Sequence, residues 1–465
     1  MFCQDILKIV EILDGKIIRK ELVNGDKIKG VSIDSRNIIP GQLFIPIKGE
    51  NFDGHDYIKA AMDNGALISL TSDEEKMPPN VSGILVKDTQ EALVKLAKYY
   101  RSTFEIPFIG ITGSVGKTSC KEMIASVLST RFKVHKTKGN YNNDIGLPLT
   151  ILDMDVDTEI SILEMGMNHF NEIDFLGEIA LPDYAVITNI GLSHIENLGS
   201  QEGILRAKSE IINHLSPDGL LLLNGDDEFL RTLEGKVSQE ITFFGFNKTN
   251  EYFVKNYEAL GLEGVKATIQ SPTETYNINL NTLGKHMLYH TLSAIIIGER
   301  LSLIKEEIEK GISQYENEKM RLNIVKLENG ITIINDSYNA SVDSMKAAID
   351  ILDHSKTEGR SVAILGDMFE MGAFSKGAHE DVGKYIASKS IDMLICVGED
   401  SRWMYEGAFA HGYKGNLLYY KTKDGLNDAM KDVLKHKDLI LVKASRGMKL
   451  EDTIEKIKEV SINEF

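Results

Sequence analysis

Apolar positions along this chain fall into short runs separated by turn residues. From residue 106, IPFIGITG is an apolar stretch rich in β-branched residues, followed by a glycine loop and then by KTSCKEMIASVLSTR. In that last segment Cys120, Met123, Ile124, Val127 and Leu128 recur at i, i+3, i+4, i+7 and i+8, one stripe of an α-helix. The order is strand, loop, helix. Further apolar runs, ISIL from residue 160, YAVITNI from 184 and GLLLLNGDD from 219, each stop at polar or glycine residues. Such near-continuous runs predict a parallel sheet covered on both faces.

From about Met320 the alternation is clearer. ITIIND, SVAILGD, DMLICVGED, NLLYYK and DLILVKAS read as strands, with helices from Val342 and near Lys384, Trp403 and Met430. Val342, Met345, Ile349 and Leu352 form the buried stripe of the first of those helices. Strand and helix in regular alternation predict a doubly wound, Rossmann-like unit. The first block mixes strand-like GQLFIPIKG with the turn signal NFDGHD and closes in the helical run EALVKLAKYYRSTF. The expected fold is α/β in three domains: residues 1–105, a central P-loop parallel-sheet domain over 106–318, and a Rossmann-like C-terminal domain over 319–465.

Length agrees with this division, since 465 residues exceed one ordinary core. Hydrophobic residues at 42% and charged residues at 26% belong to a globular chain. The formal charge is 52 minus 69, or −17, and no basic run tracks a phosphate backbone, which excludes nucleic acid as a general partner. A small anionic ligand stays possible, because a local nest of amides binds phosphate whatever the global charge. Cys3, Cys120 and Cys396 are too few and too scattered for a disulfide framework or a CxxC metal site. With no basic leader and no apolar run near ~18 residues, a cytoplasmic protein without membrane insertion is expected, as a monomer.

The chemistry starts at GITGSVGKTS, residues 110–119, where Ile111 stands in the place of the first P-loop glycine. A strand that delivers Gly113, Ser114, Val115 and Gly116 to the first turn of a helix aims backbone N–H groups at one point, where the helix dipole also favours an anion. Lys117 then reaches the β and γ phosphates of ATP, and the Thr118 hydroxyl is the usual Mg²⁺ ligand. The bland alternative is an ordinary glycine-rich turn. Glu164, at the C-terminal tip of an apolar strand, projects into the crevice where α/β sheets bind ligands and is a second candidate Mg²⁺ ligand.

TGxxGKT with an apolar residue in the first glycine position resembles the Mur ligase family, the ATP-dependent amide-forming enzymes of peptidoglycan precursor synthesis, together with their folylpolyglutamate synthase relatives. TKGNYNNDIGLPLTIL, from 137, is similar to the family's T-x-G-N-x-N-N-x-I-G-x-P segment, which implies that Asn140, Asn142 and Asn143 lie near the muramoyl substrate. Without it, asparagine and glycine would read as turn chemistry. The resemblance also implies that Glu164 and His194, the latter in ITNIGLSHIENLGS, hold a metal ion. It further implies that Lys208 is carbamylated, carrying a carboxylate able to orient a second Mg²⁺. An exposed helical lysine is the plain alternative.

NDSYNASVDSM, ILGDMFEMG with the later His379, and VKASRGMKLE resemble the segments of the branch that adds D-alanyl-D-alanine to UDP-N-acetylmuramoyl-tripeptide. The resemblance implies a tripeptide carboxylate phosphorylated by ATP and then attacked by the dipeptide amine. It implies Arg321 at the transferred phosphate, Asp336 near the ribose, His290 in the ATP site, Asn339 at the substrate, and Ser35 and Arg36 as contacts to the UDP-sugar. Three departures stand out: Ser341 and Val342 replace Asn-Pro, Met287 and His290 replace the two asparagines of G-x-H-N-x-x-N, and Ala444 replaces a glycine. They leave room for a paralogue with another acceptor. A plain P-loop ATPase or kinase and a non-catalytic nucleotide-binding protein are the competing classes. A hinge near 315–320 is expected, because the phosphate loop and Arg321 lie in different domains.

Overall fold

The computed structural model describes residues 2–22, 25–355 and 358–464. Three main sheets follow one another along the chain. The first has five strands in the order Lys16–Ile18, Gly83–Leu85, Ile68–Thr71, Leu43–Phe44 and Val31–Ser32, all parallel except the first. Cys3–Asp5 pairs separately with Lys27–Lys29. The strand expected in GQLFIPIKG is only Leu43–Phe44. Pro46 follows closely, and proline has no N–H to give to a ladder. The helix Thr89–Arg101 starts where the Asp88 carboxylate accepts the N–H groups of Gln90 and Glu91.

The second sheet has nine strands. Seven are parallel, running from Val134–Lys136 through Ile160–Glu164, Phe108–Thr112, Tyr184–Ile187, Leu220–Asn224 and Glu240–Gly245 to Tyr252–Ala259. The expected parallel strands are present, and an antiparallel extension, Val265–Gln270 and Thr275–Leu280, is added at one edge. Its connections are too short to carry a crossover helix, so reversal is the only option. In the last strand exposed and buried positions alternate, which marks a half-solvated edge rather than a covered core.

The helix Lys117–Leu128 follows strand Phe108–Thr112, and its stripe Cys120, Met123, Ile124, Val127 and Leu128 is wholly buried. It packs on helices Met287–Arg300 and Lys305–Ser313. Gly311 permits that close approach, since a Cβ there would lie 2.4 Å from Val127 Cα.

The third sheet has the order Asn323–Lys326, Thr332–Asn335, Leu439–Lys443, Ser361–Gly366, Met393–Val397 and Asn416–Tyr420. Five strands are parallel and the first is an antiparallel edge. Side chains of helices Val342–His354, Ser375–Ala387 and Ser401–Ala410 form a core on one face, and those of Lys423–Val433 and Glu451–Glu464 form a core on the other. This is the doubly wound arrangement the alternation predicts. The chain is therefore α/β with three domains. Among the described residues, no helix is long and apolar enough to cross a membrane.

Candidate active site

One cavity of about 900 Å³ is walled by the loop 114–119, the asparagine segment 140–143, the ends of the central strands, the start of helix Met287–Arg300, and the C-terminal segments 336–348, 369–371 and 443–447. The loop is held in shape by its glycines. Gly113 has φ +147° and Gly116 φ +84°, a region that disfavours side chains, and a Cβ on Gly113 would meet Thr188 Oγ1 at 1.8 Å.

Not every loop amide is free for phosphate, contrary to the expectation. Ser114 N–H donates to Asn189 O at 3.1 Å and Val115 N–H to Asn189 Oδ1 at 3.0 Å. The neighbouring segment thus clamps the loop, with Thr188 Oγ1 and Asn189 Nδ2 both donating to Val115 O. Anion-binding capacity passes to the first turn of the helix beginning at Lys117, whose leading N–H groups have no intrahelical acceptor.

Lys117 lies back across the loop, its Nζ donating to Gly113 O at 2.8 Å. Burial pushes its ammonium below the usual lysine range; the Glu164 charge opposes this and Arg321 reinforces it. An incoming phosphate would favour the charged form. Thr118 Oγ1 accepts from Arg321 Nη2 at 2.9 Å, and the guanidinium lies 4.3 Å from the centre of the Tyr338 ring. Arg321 Nε is buried without a partner. The residues on either side of it, Met320 and Leu322, both adopt φ near +60°.

Glu164 ends its strand almost fully buried. Its Oε1 accepts from Asn142 Nδ2 at 2.9 Å, while Oε2 is buried and has no hydrogen-bond donor. Such an atom is costly unless a cation meets it, and Lys121 Nζ does so only at 3.9 Å, beyond hydrogen-bond range. Asn142 thus meets Glu164 in the cavity wall. Asn143 instead accepts Gly146 N–H with its side chain, the ordinary turn role, and Asn140 is exposed on the cavity wall.

His194, at φ +63°, caps the short helix Ile195–Leu198, and its Nδ1 stands 2.7 Å from Glu370 Oε2 of the C-terminal part. The two groups are in close contact without hydrogen-bond alignment. The histidine holds the Glu370 carboxyl below the usual range. Lys208, in helix Gln201–Ser209, is 1% exposed and does not line the cavity. Burial, and after it the Lys117 charge, drive its amine far below the ordinary value. The plain reading of an exposed lysine is overturned.

His290 is buried against the loop, so that a Cβ on Gly116 would lie 2.4 Å from its Cε1. Burial lowers it to about 3, with His286 and Arg321 adding to the effect. Asp336 pairs with the buried Lys443, which also donates to Asn339 O at 2.9 Å. The Asn339 side chain accepts the N–H of Ala340. Of these candidate residues, all line the cavity except Gly113 and Lys208.

Ser35 and Arg36 are not brought to this cavity. Ser35 is buried with its carbonyl accepting from Asn64 Nδ2, and Arg36 is exposed with its fork on both oxygens of Asp34 at 2.9 Å. Sequence reasoning passed over Glu370, Asn189, Thr188, Tyr338 and Lys443. All five sit inside segments already singled out, but the clamp by Thr188 and Asn189 depends on the pairing of their strand with the one before the loop, which no local pattern marks.

Among the described residues no group of three or more His, Cys, Asp or Glu side chains gathers as a metal cage. The donors present, the Glu164 carboxylate and the Thr118 hydroxyl, are hard oxygens on a site with room for phosphate and water, which suits Mg²⁺.

Comparison with known proteins agrees along the whole chain. The Mur ligase family catalytic domain matches residues 27–101, the Mur ligase middle domain 111–298, and the Mur ligase glutamate ligase domain 320–446. The chain is 41% identical over 460 residues to the UDP-N-acetylmuramoyl-tripeptide--D-alanyl-D-alanine ligase of Bacillus subtilis (strain 168), covering 99% of both. It is 30% identical over 462 residues to the protein of the same name from Escherichia coli (strain K12), again covering 99% of both. Among solved structures, MurF from Acinetobacter baumannii is similar at TM-score 0.90 and 28% identity, with 98% of this chain and 99% of that one covered. MurF ligase from Thermotoga maritima in complex with ADP is similar at 0.82 and 26%, with 96% and 100% covered. Matched in each of its three sheets and over nearly its full length, the chain belongs to the Mur ligase family.

Proposed function

We propose that this chain is an ATP-dependent ligase that joins D-alanyl-D-alanine to UDP-N-acetylmuramoyl-tripeptide through an acyl phosphate, in the cytoplasmic stage of peptidoglycan precursor synthesis. The observation that carries the reading is one cavity in which the phosphate loop and Glu164 face Arg321, Asp336, Glu370 and Lys443 from the C-terminal part. Full-length similarity to ligases of that name supports the substrates, and a similar structure holding ADP supports the nucleotide. The division at 1–105, 106–318 and 319–465 is supported by sheets that each close within one segment.

A carboxylate is a poor electrophile, so its activation needs a leaving group. The tripeptide carboxylate attacks the γ-phosphorus, ADP leaves, and the dipeptide amine then displaces inorganic phosphate from the acyl carbon. Both steps bring anions together, and catalysis consists largely of holding cations at the phosphoryl oxygens. Lys117 swings from Gly113 O to the β and γ phosphates, and the helix-start amides receive the β phosphate. Arg321 leaves Thr118 and turns to the transferred group.

Mg²⁺, when bound, neutralises phosphate charge and polarises the transferred group. Thr118 and Glu164 would hold it, with His194 beside them. Burial shifts the Lys208 amine toward the neutral form that reacts with CO₂, and its carbamate would add the anion needed for a second Mg²⁺. Asn140, Asn142, Asn143 and Asn339 face the acyl substrate, Asp336 and His290 the nucleotide, and Ser35 and Arg36 the UDP-sugar. The deciding experiment measures phosphate release with and without D-alanyl-D-alanine. Strict dependence on the dipeptide with amide product supports the ligase; equal turnover without it assigns a P-loop ATPase instead.

A further inference from the structure

Lys121 has no role in the mechanism above, yet its side chain is wholly buried on the phosphate-loop helix. Three carboxylates surround its Nζ: Glu122 at 3.1 Å, Glu318 at 3.3 Å and Glu164 at 3.9 Å. Its shortest bond is to Thr137 O at 2.7 Å. Thr137 in turn accepts Glu164 N–H on its Oγ1 at 2.9 Å, so the ammonium and the Glu164 backbone share one anchor. Lys136 caps the far side of Glu122. Removing one partner from such a buried charge cluster is costly, because the remaining charges stay desolvated.

Glu318 belongs to the segment between the last helix of the central part, Lys305–Ser313, and the first strand of the C-terminal sheet, Asn323–Lys326. Three residues further on, Arg321 reaches Thr118. The connecting segment is therefore fastened at two points to the same helix, at positions 118 and 121, which are neighbours on one helical face. On either side of the second fastening the backbone is strained, with Met320 at φ +62° and Leu322 at φ +53°. The two attachments differ in kind. Thr118 is wanted by the nucleotide site, so the Arg321 contact must open when ATP binds. The Lys121–Glu318 contact involves no residue that lines the cavity.

We propose that Lys121 is a positioning residue for the ligase reaction. It ties Glu164 and the interdomain segment at Glu318 to one point of the phosphate-loop helix, so that the segment pivots there while Arg321 is released toward the transferred phosphate. The pivot keeps Arg321 in register with the loop. Losing it displaces the arginine without disturbing the nucleotide cradle.

The inference rests on the ligase reading, and the test separates the two. Glu318→Ala and Glu318→Gln, at a partly exposed carboxylate, are compared with wild type for kcat, for KM of each substrate and for affinity toward a non-hydrolysable ATP analogue. Misplacement of a catalytic group by about 1 Å costs up to ~100-fold, so E318A is expected to lower kcat by about tenfold or more. Analogue affinity should stay within about twofold of wild type, because cradle contacts are intact. Glutamine, which still accepts from Lys121, should recover most of the rate. Lys121→Met should lower kcat further, and E318A added to it should change little, since both remove one contact.

A merely structural role predicts a lower melting temperature with kcat per folded molecule unchanged. That result, or full additivity in the double variant, overturns the proposal. Should K121M not fold, the Glu318 pair decides alone. A wild-type protein that makes no amide defeats the ligase reading, whereas an active wild type with an E318A variant indistinguishable from it defeats only the pivot.

Discussion

Two loops in this molecule carry the residues that the family resemblance assigns to phosphates, and they are built in opposite ways. Around 113–118 the functional groups are buried and incompletely satisfied: Glu164 Oε2 and Arg321 Nε have no hydrogen-bond partner, and burial lowers the Lys117 ammonium below its usual range. At 34–37 everything is satisfied locally. Arg36 spends its fork on Asp34, holding that carboxyl well below the usual range, and the pair is open to water. The first loop stores free energy that a ligand can release. The second must give up a surface pair before it can bind anything, which costs little because exposed pairs contribute little. Preorganisation separates a catalytic centre from a recognition loop.

The largest expected effect breaks the first loop. Lys117→Ala should cut amide formation by about 100-fold or more, the usual cost of removing one preorganised charge from a transition state. Product formation by chromatography checks it, and an undiminished rate would sink the acyl-phosphate mechanism.

Next comes Lys208. Activity in CO₂-depleted buffer should fall by about tenfold or more, as expected for loss of a metal-orienting anion, and return on adding bicarbonate. A ¹³C carbamate signal, absent in K208A, is the accompanying spectroscopic mark. Insensitivity to bicarbonate removes the modification from the account.

The third concerns His290. Its folded value, about 3, lies below the ordinary histidine value, so the unfolded chain binds the extra proton first as pH falls. Neutral His290 contributes its full stability above about pH 6.5, and that contribution declines between there and about pH 3 at no more than about 1.4 kcal/mol per unit. Melting curves between pH 7 and 5 should show the decline in wild type and a shallower one in His290→Gln. Parallel curves would show that the histidine is not what the acid attacks.

The smallest effect sharpens the second loop. Arg36→Ala should raise KM for the UDP-sugar peptide by about tenfold, the loss of a uniform binding contact. Both kcat and the melting temperature should hold, since the arginine is fully exposed. If kcat falls instead, the two loops are not as different as their geometry indicates.

Legibility followed the same line. The helical stripe of Lys117–Leu128 and the doubly wound C-terminal alternation were readable because burial of one face imposes a period on the sequence. The antiparallel edge 265–280 was not, since short polar-alternating strands after a turn carry no mark of which sheet they join. At the site, Glu164 could be placed at a strand tip from its own apolar run. Its partnership with Asn142 and Lys121 could not, nor could the meeting of His194 with Glu370.

By itself the sequence determined the local chemistry: a glycine loop of the right conformation, a lysine and a threonine at the start of a helix, carboxylates at strand ends, and a family signature spread over three segments. Only the tertiary structure decided which groups are left wanting. It buried Lys208, consumed the Ser114 and Val115 amides on Asn189, and fastened the interdomain segment to the phosphate-loop helix through Glu318 and Arg321. The physical reason is that desolvation and pairing are sums over neighbours from distant parts of the chain, whereas propensity and motif spacing are properties of adjacent residues.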